Sequence, residues 1–250
     1  MRLARFSSGG TIGYGVYMDD GIQPIAWEPY DEEQAAFDKV PLEQVSLLAP
    51  VVPTKIIGIG LNYREHAEEV GMPTAIEPTI FLKPPSSILD PGGSIVIPER
   101  STHVDYEAEL AVIISREAHD VSVENALEHV FGYTCGIDVT ARDLQIEDGQ
   151  WTRAKGFDTF CPLGPWAETD IDPGNLDLAL SLNGEEKQRS NTSLMIFDVP
   201  HLVSFLSGIM TLCAGDVIMT GTPSGIGPVE SGDHLEVTIE GIGTLSCDVT

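Results

Sequence analysis

The sequence predicts an α+β fold that is predominantly β, with a small β module at its N-terminus. Three observations lead to this prediction. The 250-residue chain contains 25 glycines and 17 prolines, a composition that favours many turns. Its apolar residues fall into short runs, and turn-forming residues separate these runs. Only a few stretches show the spacing of apolar residues that is typical of helices.

Residues 1–52 are expected to form the small N-terminal module. The pattern predicts strands at 3–6 and 11–17 and a short helix over 31–40. Several prolines mark the segment that follows, residues 41–53, as a linker. The remaining residues, 53–250, are expected to form one larger domain, which is long enough to bury a sizeable core.

The larger domain is expected to begin with a buried strand, since residues 55–60 form a short apolar run. Asn62 is then predicted to cap a helix that runs to residue 70 and ends at Gly71. The rest of the chain predicts strands at 79–82, 94–97, 105–114, 133–139, 217–220 and 234–239, a hairpin that turns at Asn183-Gly184, and helices at 123–130 and 196–212.

Two glutamates in the predicted strand 105–114 point toward the interior. Glu107 and Glu109 share a face, because successive side chains of a strand alternate, and that face is otherwise apolar. With 39 acidic residues in 250, about six acid pairs at this spacing arise by chance, so a solvated strand face is the alternative. Buried carboxylates need a counter-charge. A divalent cation such as Mg²⁺ would supply it, with Asp138 as the candidate third oxygen ligand.

A histidine and a lysine are candidates for acid–base chemistry and charge stabilisation. His66 and Glu69 lie three residues apart on a predicted helix, where a carboxylate can orient the imidazole as a general base for water. A surface His–Glu pair is the alternative. Lys155 lies among aromatic residues and is a candidate for holding a substrate carboxylate or a developing enolate. A lysine that extends along the surface is the alternative.

Two further segments are candidates for binding substrate. Arg142 and Gln145 closely follow Asp138 and are expected to face the same pocket, unless they only begin a helix. The glycine-rich loop 221–227 lacks the Lys-Ser/Thr ending of a nucleotide-binding loop. Its backbone amides are candidates for cradling a carboxylate, with a structural turn as the alternative.

The charge and composition of the chain restrict its possible binding partners and its expected location in the cell. The formal net charge of −26 argues against nucleic acid and anionic membranes. No apolar run approaches the length of a membrane span and the first residues do not form a signal peptide, so a cytoplasmic protein is expected. The four cysteines form no C-x-x-C pair and are expected to be reduced thiols.

The strongly acidic composition, together with the scarcity of lysine, suggests adaptation to a high-salt cytoplasm. Only five of the 13 basic residues are lysine. In such a halophilic protein, salt would screen the self-repulsion of the acidic surface. Equal stability and activity with and without molar KCl would contradict this hypothesis. Simple solubility of an acidic mesophilic protein is the alternative.

Taken together and in this order, several segments resemble the fumarylacetoacetate hydrolase family. The matching segments are Gly60-Leu61-Asn62-Tyr63 with His66 and Glu69, Phe81-Leu82-Lys83-Pro84, Asp105 to Leu110, Gly132 to Asp138, Thr140 to Gln145, Lys155, and Gly221 to Gly225. The resemblance covers roughly residues 55–250. It implies a catalytic domain built as a mixed β-sandwich roll, and a homodimer. The short N-terminal module resembles that of the compact prokaryotic-type members.

The resemblance also implies roles for individual residues. It implies a Mg²⁺ or Mn²⁺ site formed by Glu107, Glu109 and Asp138. It implies that the His66–Glu69 dyad lies on a segment that closes over the ligand, that Lys155 is an active-site lysine, that Thr222 contacts the substrate carboxylate, and that Arg142 and Gln145 occupy pocket positions.

The expected activity is that of a divalent-metal-dependent enzyme acting on a 2-oxo acid through a metal-bound enolate. Hydrolytic C–C cleavage of an acylpyruvate, of the fumarylpyruvate or acetylpyruvate class, fits a role in aromatic catabolism. Isomerisation of 2-hydroxyhepta-2,4-diene-1,7-dioate, decarboxylation of oxaloacetate and dehydration of a 2-keto-3-deoxy sugar acid stay open. A metal-independent binding protein and a purely structural acidic β-protein are the alternatives from other classes, and a structural protein would not be stabilised by Mg²⁺.

Overall fold

The computed structural model describes residues 1–25 and 38–250, and most of its regular structure is strand. The described strands are β1 Arg2–Ser8, β2 Thr11–Met18, β3 Gly21–Ile25, β4 Ser46–Leu48, β5 Ile56–Gly60, β6 Thr79–Lys83, β7 Ile88–Leu89, β8 Ser94–Ile95, β9 Val104–Tyr106, β10 Ala108–Ile114, β11 Val130–Ile137, β12 Thr140–Ala141, β13 Cys161–Glu168, β14 Asp177–Leu182, β15 Glu185–Asn191, β16 Val217–Met219, β17 Gly227–Pro228, β18 His234–Ile239 and β19 Gly243–Val249. The described α-helices are α1 Arg64–Glu69, α2 Arg142–Asp148, α3 Thr152–Lys155 and α4 Val199–Ser207. Short 3₁₀ helices cover Leu42–Gln44, Pro85–Ser87, Val123–His129 and Thr192–Leu194.

The described strands form three sheets. The largest has eleven strands, nine of them in the order β3-β2-β1-β13-β11-β10-β16-β5-β6, with β4 beside β1 and β7 beside β13. A five-stranded sheet has the order β15-β14-β18-β19-β8, and β12-β9-β17 form the third. Most neighbours are antiparallel, but β16 runs parallel to β5. The predicted α+β, predominantly β class, with a mixed β roll, is therefore confirmed. Within the described part of the chain, no helix is both long and apolar enough to span a membrane.

The N-terminal strands join the sheet of the larger domain. Arg2 of β1 pairs with Glu168 of β13, and the segment predicted as a linker contains β4, which also pairs with β1. The division at residues 52 and 53 stays a prediction, because hydrogen-bonded strands connect the two parts. The helix predicted over 31–40 falls mainly outside the described residues.

The segment 105–114, predicted as one strand, is two strands that meet at Glu107. The first, β9, belongs to the three-stranded sheet, whereas β10 lies inside the largest sheet between β11 and β16. The chain thus changes sheets at the glutamate, which explains why regular pairing stops there. The alternation predicted for the rest is present: Ala111 and Ile113 pack in one cluster, while Leu110 and Val112 pack in another.

The two later predicted helices are present, but the first differs in type and the second is shorter than expected. Residues 123–129 form a 3₁₀ helix, and the stretch 196–212 is α-helical only in α4. Asp198 caps α4, since its carboxylate accepts a hydrogen bond from the His201 amide at 3.0 Å. Pro200 lies in the first turn, where a proline costs no helical hydrogen bond. The apolar spacing begins at residue 196, before the cap at Asp198, and continues past the last helical residue, Ser207. It therefore overestimates the length of the helix.

Asp216 binds the residues that directly precede β5, the strand that leads into the site described below. Its fully buried carboxylate accepts hydrogen bonds from the Thr54 hydroxyl (2.6 Å) and the Cys213 amide (2.7 Å) and pairs with the ammonium of Lys55. The next residue, Val217, pairs with Ile56 of β5. One carboxylate therefore holds the ends of two neighbouring strands together.

We expect Asp216→Ala to lower the free energy of unfolding by about 3 kcal/mol, because the change leaves buried donors without an acceptor. Urea denaturation measures this loss. Asp198→Ala is the matched control, since it removes the cap of α4 and should cost about 1 kcal/mol. Equal losses in the two variants would contradict the anchoring role of Asp216.

Candidate active site

Three buried carboxylates meet where β9, β10 and β11 come together. Glu107 lies between β9 and β10, Glu109 lies on β10, and Asp138 follows β11 directly. One oxygen of each lies within 4.8 Å of the others, and their exposed fractions are 5%, 1% and 1%. The pairing of β10 with β11 produces this convergence, because Ala108 is opposite Ile137 and the Asp138 amide donates to the Glu107 carbonyl at 2.8 Å.

Buried cations surround two of the three carboxylates. The Lys155 ammonium lies 2.8 Å from Glu107 and 2.5 Å from Asp138. Lys83, which is also fully buried, lies 2.5 Å from the other oxygen of Asp138. Arg142 donates to the second oxygen of Glu107 at 2.5 Å. These pairings supply most of the counter-charge that the buried acids need.

Glu109 is the carboxylate with the least compensation. It accepts a hydrogen bond from the Gly221 amide at 2.7 Å, but within the described residues it forms no ion pair. Burial raises its pKa well above the ordinary value, and the charges of Asp138 and Glu107 raise it further. For Glu107, burial also acts to raise the pKa, but the charges of Lys155 and Arg142 outweigh it and hold the pKa below the ordinary value.

The residues present fit a divalent cation. The site offers three carboxylate groups within a few ångströms, which is the donor set that Mg²⁺ and Mn²⁺ prefer. One of them, Glu109, lacks a cationic partner among the described residues. The hydroxyl of Tyr63 is buried nearby without a hydrogen-bond partner in the described structure, and burial and the charge of Glu109 both raise its pKa. A hydrated cation beside Glu109 would satisfy both groups.

The dyad predicted at His66 and Glu69 is present on α1. Nδ1 of His66 lies 3.0 Å from Oε2 of Glu69, and the other oxygen of Glu69 accepts from the Gly225 amide at 2.9 Å. The imidazole is 5% exposed and lines a cavity that Glu107 and Lys155 also line. When Nδ1 donates its proton to Glu69, Nε2 keeps the lone pair that a general base requires.

Asn62 has a different role from the predicted one. It does not cap α1, whose N-cap is Tyr63. Its buried side chain donates to the carbonyls of Thr220 (2.7 Å) and Phe197 (3.0 Å) and accepts from the Phe197 amide at 2.8 Å. The preceding residue, Leu61, has a left-handed φ of 59°, which turns the chain out of β5. Asn62 thereby fixes the base of the segment that carries His66. The predicted end of the helix is correct, since Gly71 follows its last turn with a φ of 70°.

Arg142 and Gln145 lie on α2 and line the same cavity, as the spacing predicted. The Arg142 guanidinium donates to Gln145 (2.6 Å) and to Asp105 (2.8 Å), in addition to Glu107. Asp105 in turn contacts His103 at 2.8 Å. Because three of the five guanidinium protons are used within the protein, a direct contact between Arg142 and substrate stays a prediction.

Sequence reasoning missed the roles of Lys83 and Gln188. For Lys83 the sequence offers a usable signal, because it is one of only five lysines and directly follows the strand predicted at 79–82. Nothing in the sequence marked Gln188, which lies on the hairpin strand β15, as a functional residue. Its side chain is 1% exposed and accepts from the Ala108 amide at 2.9 Å. Its amide group donates to the Thr222 hydroxyl and to the Pro223 carbonyl, both at 2.9 Å.

Gln188 therefore sets the direction of the Thr222 proton. Because the Thr222 oxygen accepts from Gln188, its own proton is free to donate into the cavity that Thr222 lines. We expect Gln188→Glu to raise KM for a carboxylate substrate about ten-fold with a smaller change in kcat, since the introduced acceptor would take that proton.

Steady-state kinetics measures this split between KM and kcat for Gln188→Glu. The Gln188→Glu/Thr222→Val double variant is the control, and it should lose little beyond Thr222→Val alone. Fully additive losses would show that Gln188 acts independently of Thr222.

The cavity that His66, Glu107 and Lys155 line has a volume of about 540 Å³. Within the described part of the chain, its walls are formed by Ile59, Gly60, Leu61, His66, Glu69, Val70, Met72, Phe81, Asp105, Glu107, Arg142, Gln145, Ile146, Trp151, Lys155, Thr222 and Ile226. A polar end and an apolar wall thus share one space of the size that small-molecule sites occupy. The fold and site thus define a class: a mixed β roll with a buried cluster of three carboxylates beside a cavity for a small molecule.

Comparison with known families identifies the particular class. A family model described as Fumarylacetoacetate (FAA) hydrolase C-terminal matches residues 55–250, and a model described as Rv2993c-like, N-terminal matches residues 1–50. The chain therefore belongs to the fumarylacetoacetate hydrolase family of enzymes. The resemblance seen in the sequence is confirmed.

Relatives and solved structures extend this result over the whole chain. An uncharacterized protein of Archaeoglobus fulgidus is 50% identical over 243 residues, which cover 97% of this chain and 94% of the relative. A mitochondrial oxaloacetate decarboxylase of Dictyostelium discoideum is 44% identical over 197 residues, covering 76% and 90%. The structure of a 5-carboxymethyl-2-hydroxymuconate delta-isomerase from Mycobacterium smegmatis matches with a TM-score of 0.94 and 44% identity, covering 100% and 99%. A fumarylpyruvate hydrolase from Pseudomonas aeruginosa, in complex with Mn²⁺ and pyruvate, matches with a TM-score of 0.76 and 34% identity, covering 82% and 91%.

Proposed function

We propose that this protein is a divalent-metal-dependent hydrolase that cleaves the C–C bond of an acylpyruvate. The observation that carries the proposal is the buried imidazole of His66, which is paired with Glu69 and faces the same cavity as Glu107 and Lys155. A base for water and a charged site for a 2-oxo acid thus lie in one space. Hydrolysis needs both groups.

Glu107, Glu109 and Asp138 would hold Mg²⁺ or Mn²⁺ in this proposal. The fumarylpyruvate hydrolase that contains Mn²⁺ and pyruvate supports the assignment, because it is similar to this chain. When bound, the cation would act as a Lewis acid toward the oxygens of a 2-oxo acid. The Thr222 hydroxyl, with its proton directed by Gln188, would donate to the substrate carboxylate.

The chain's own residues would carry the hydrolytic steps. Nε2 of His66 takes a proton from water while the water oxygen adds to the distal acyl carbonyl. The bond from that carbon to the CH₂ group of the pyruvyl part then breaks, and its electron pair passes to the enolate of pyruvate. The ammonium of Lys155 stabilises this negative charge. Return of the proton to the CH₂ carbon gives pyruvate, and the distal part leaves as a carboxylic acid.

A substrate panel tests this proposal. Acetylpyruvate, fumarylpyruvate, oxaloacetate and 2-hydroxyhepta-2,4-diene-1,7-dioate would each be assayed with Mg²⁺, with Mn²⁺ and with excess chelator in high KCl. We expect metal-dependent release of pyruvate from an acylpyruvate to have the highest kcat/KM. Faster conversion of oxaloacetate or of the dienedioate would overturn the proposal in favour of the second candidate.

Decarboxylation or isomerisation at the same site is the second candidate. The observation in its favour is that the similar proteins include an oxaloacetate decarboxylase and an isomerase. Both reactions pass through an enolate that the cationic end of the cavity would stabilise, but neither needs water to attack a carbonyl. The paired imidazole of His66 therefore favours hydrolysis. Assembly as a homodimer, a cytoplasmic location and adaptation to high salt also stay predictions.

A further inference from the structure

The two ends of the active-site cavity differ in charge. Among the described residues that line it, the fully charged cations are Arg142 and Lys155. Both are engaged by carboxylates of the site, Arg142 by Asp105 and Glu107, and Lys155 by Glu107 and Asp138. Both cations therefore lie at the end of the cavity that would receive the 2-oxo acid.

The other wall of the cavity is apolar and begins directly at Lys155. The Lys155 ammonium lies 5.0 Å from the centre of the Phe81 ring, and the ring of Trp151 meets Phe81 edge-on at 5.4 Å. Ile59 and Ile226 continue this wall. A substrate held at Lys155 would thus extend its distal group along aromatic and aliphatic side chains.

Apolar side chains also form the mouth of the cavity. Ile146, Met72 and Val70 line it and yet are 78%, 51% and 38% exposed, which places them at its opening to solvent. Large exposed apolar residues that adjoin a site are typical of a surface that binds an apolar ligand. Two charged lining residues adjoin this mouth in the chain: Glu69 directly precedes Val70, and Arg142 lies one turn before Ile146 on α2, with its guanidinium bound to Asp105, Glu107 and Gln145.

We propose that the substrate is a monocarboxylate, an acylpyruvate whose distal acyl group is uncharged and apolar. This inference rests on the proposed function and names its substrate class. A second carboxylate at the distal end would lose water against the apolar wall without gaining a cation from the described residues. An uncharged alkyl tail would instead gain the free energy of apolar burial.

A matched pair of substrates tests the proposal. 2,4-Dioxoheptanoate ends in a propyl group, and 2,4-dioxoheptanedioate has the same number of carbons but ends in a second carboxylate. We expect kcat/KM with Mg²⁺ to be at least roughly ten-fold higher for the monocarboxylate. Molar KCl in the assay screens the long-range field of the acidic surface, so that the ratio reports on the cavity. A ratio of one or below would overturn the inference.

Two variants locate the cause of the preference. Ile146→Arg and Met72→Lys each place a cation at the mouth, on exposed positions that tolerate substitution, and should lower the ratio several-fold by improving use of the dicarboxylate. Ile209→Arg is the control, because Ile209 is 52% exposed and does not line the cavity, and it should leave the ratio unchanged. An unchanged ratio in both mouth variants would overturn the inference.

Binding measurements separate this inference from the proposed hydrolysis. The affinity of each compound for the Mg²⁺-loaded protein would be measured by calorimetry in parallel. Tighter binding of the monocarboxylate without turnover would support the substrate class and contradict the hydrolase assignment. Turnover of both compounds with a preference for the dicarboxylate would support the hydrolase assignment and contradict the proposed substrate class. Binding of neither would overturn both.

Discussion

Glu109→Ala is expected to reduce metal-dependent turnover on the order of 10³-fold, because a Lewis acid contributes several kcal/mol to the stabilisation of the transition state. Glu109 is the triad member whose carboxylate has no ion-pair partner among the described residues. Its negative charge is therefore the one that a cation would compensate most directly. Steady-state kinetics with saturating Mg²⁺ or Mn²⁺ measures the loss.

A thermal-shift series separates the loss of metal from the loss of the fold. Wild type should show a Tm that rises with Mg²⁺, since a ligand that binds only the folded state stabilises it. In Glu109→Ala this rise should disappear. The Tm without metal should stay near that of wild type, because no ion pair is broken and the lost hydrogen bond from the Gly221 amide is offset by relief of the repulsion from Glu107 and Asp138. Lys187→Ala is the control, since among the residues that the structure describes its ammonium pairs with the exposed Glu185 alone. A Glu109→Ala variant that keeps the full metal response would refute the ligand assignment.

His66→Ala is expected to lower the rate of acylpyruvate hydrolysis about 10³-fold while leaving oxaloacetate decarboxylation within about ten-fold of wild type. The reason is that only hydrolysis requires a base to activate water. The imidazole is buried and its Nδ1 lies 3.0 Å from Glu69, so the variant removes both the base and the contact that orients it. Parallel assays of both reactions with the same metal measure the difference.

Two further variants test how the dyad acts. Glu69→Gln keeps a hydrogen-bonding partner for Nδ1 but removes the charge, and it should reduce hydrolysis less than His66→Ala does. Glu65→Gln changes a carboxylate on the same helix that does not line the cavity, and it should leave the rate unchanged. Equal losses of hydrolysis and decarboxylation in His66→Ala would argue against a water-activating base and for a general role in binding.

The pattern of the sequence correctly predicted that three particular carboxylates come together. It did not predict the path of the backbone that brings them together. Glu107 and Glu109 were placed on one continuous strand, whereas the chain changes sheets at Glu107. The two still converge with Asp138, because strand pairing sets Ala108 opposite Ile137. A local alternation of residues records which side chains face inward, but it contains no information on where a strand leaves one sheet for another.

The balancing charges were harder to predict than the carboxylates. Lys83 and Lys155 are 55 and 17 positions from Asp138 in the chain, and only the packed fold places both ammonium groups 2.5 Å from its carboxylate. Gln188 lies on a hairpin that looked purely structural, yet it reaches the backbone between the two glutamates and the Thr222 hydroxyl. Such contacts join strands of different sheets, and no short-range pattern marks them.

The sequence by itself determined the predominantly β class, the family, and the acidic and basic residues available for chemistry, because alternation, turn residues and local motifs are properties of neighbouring positions. The tertiary structure alone decided which of these groups share one cavity, which cations are already engaged by carboxylates, and where the apolar wall lies. These features depend on contacts between residues that are far apart in the chain, and such contacts form only when the sheets pack.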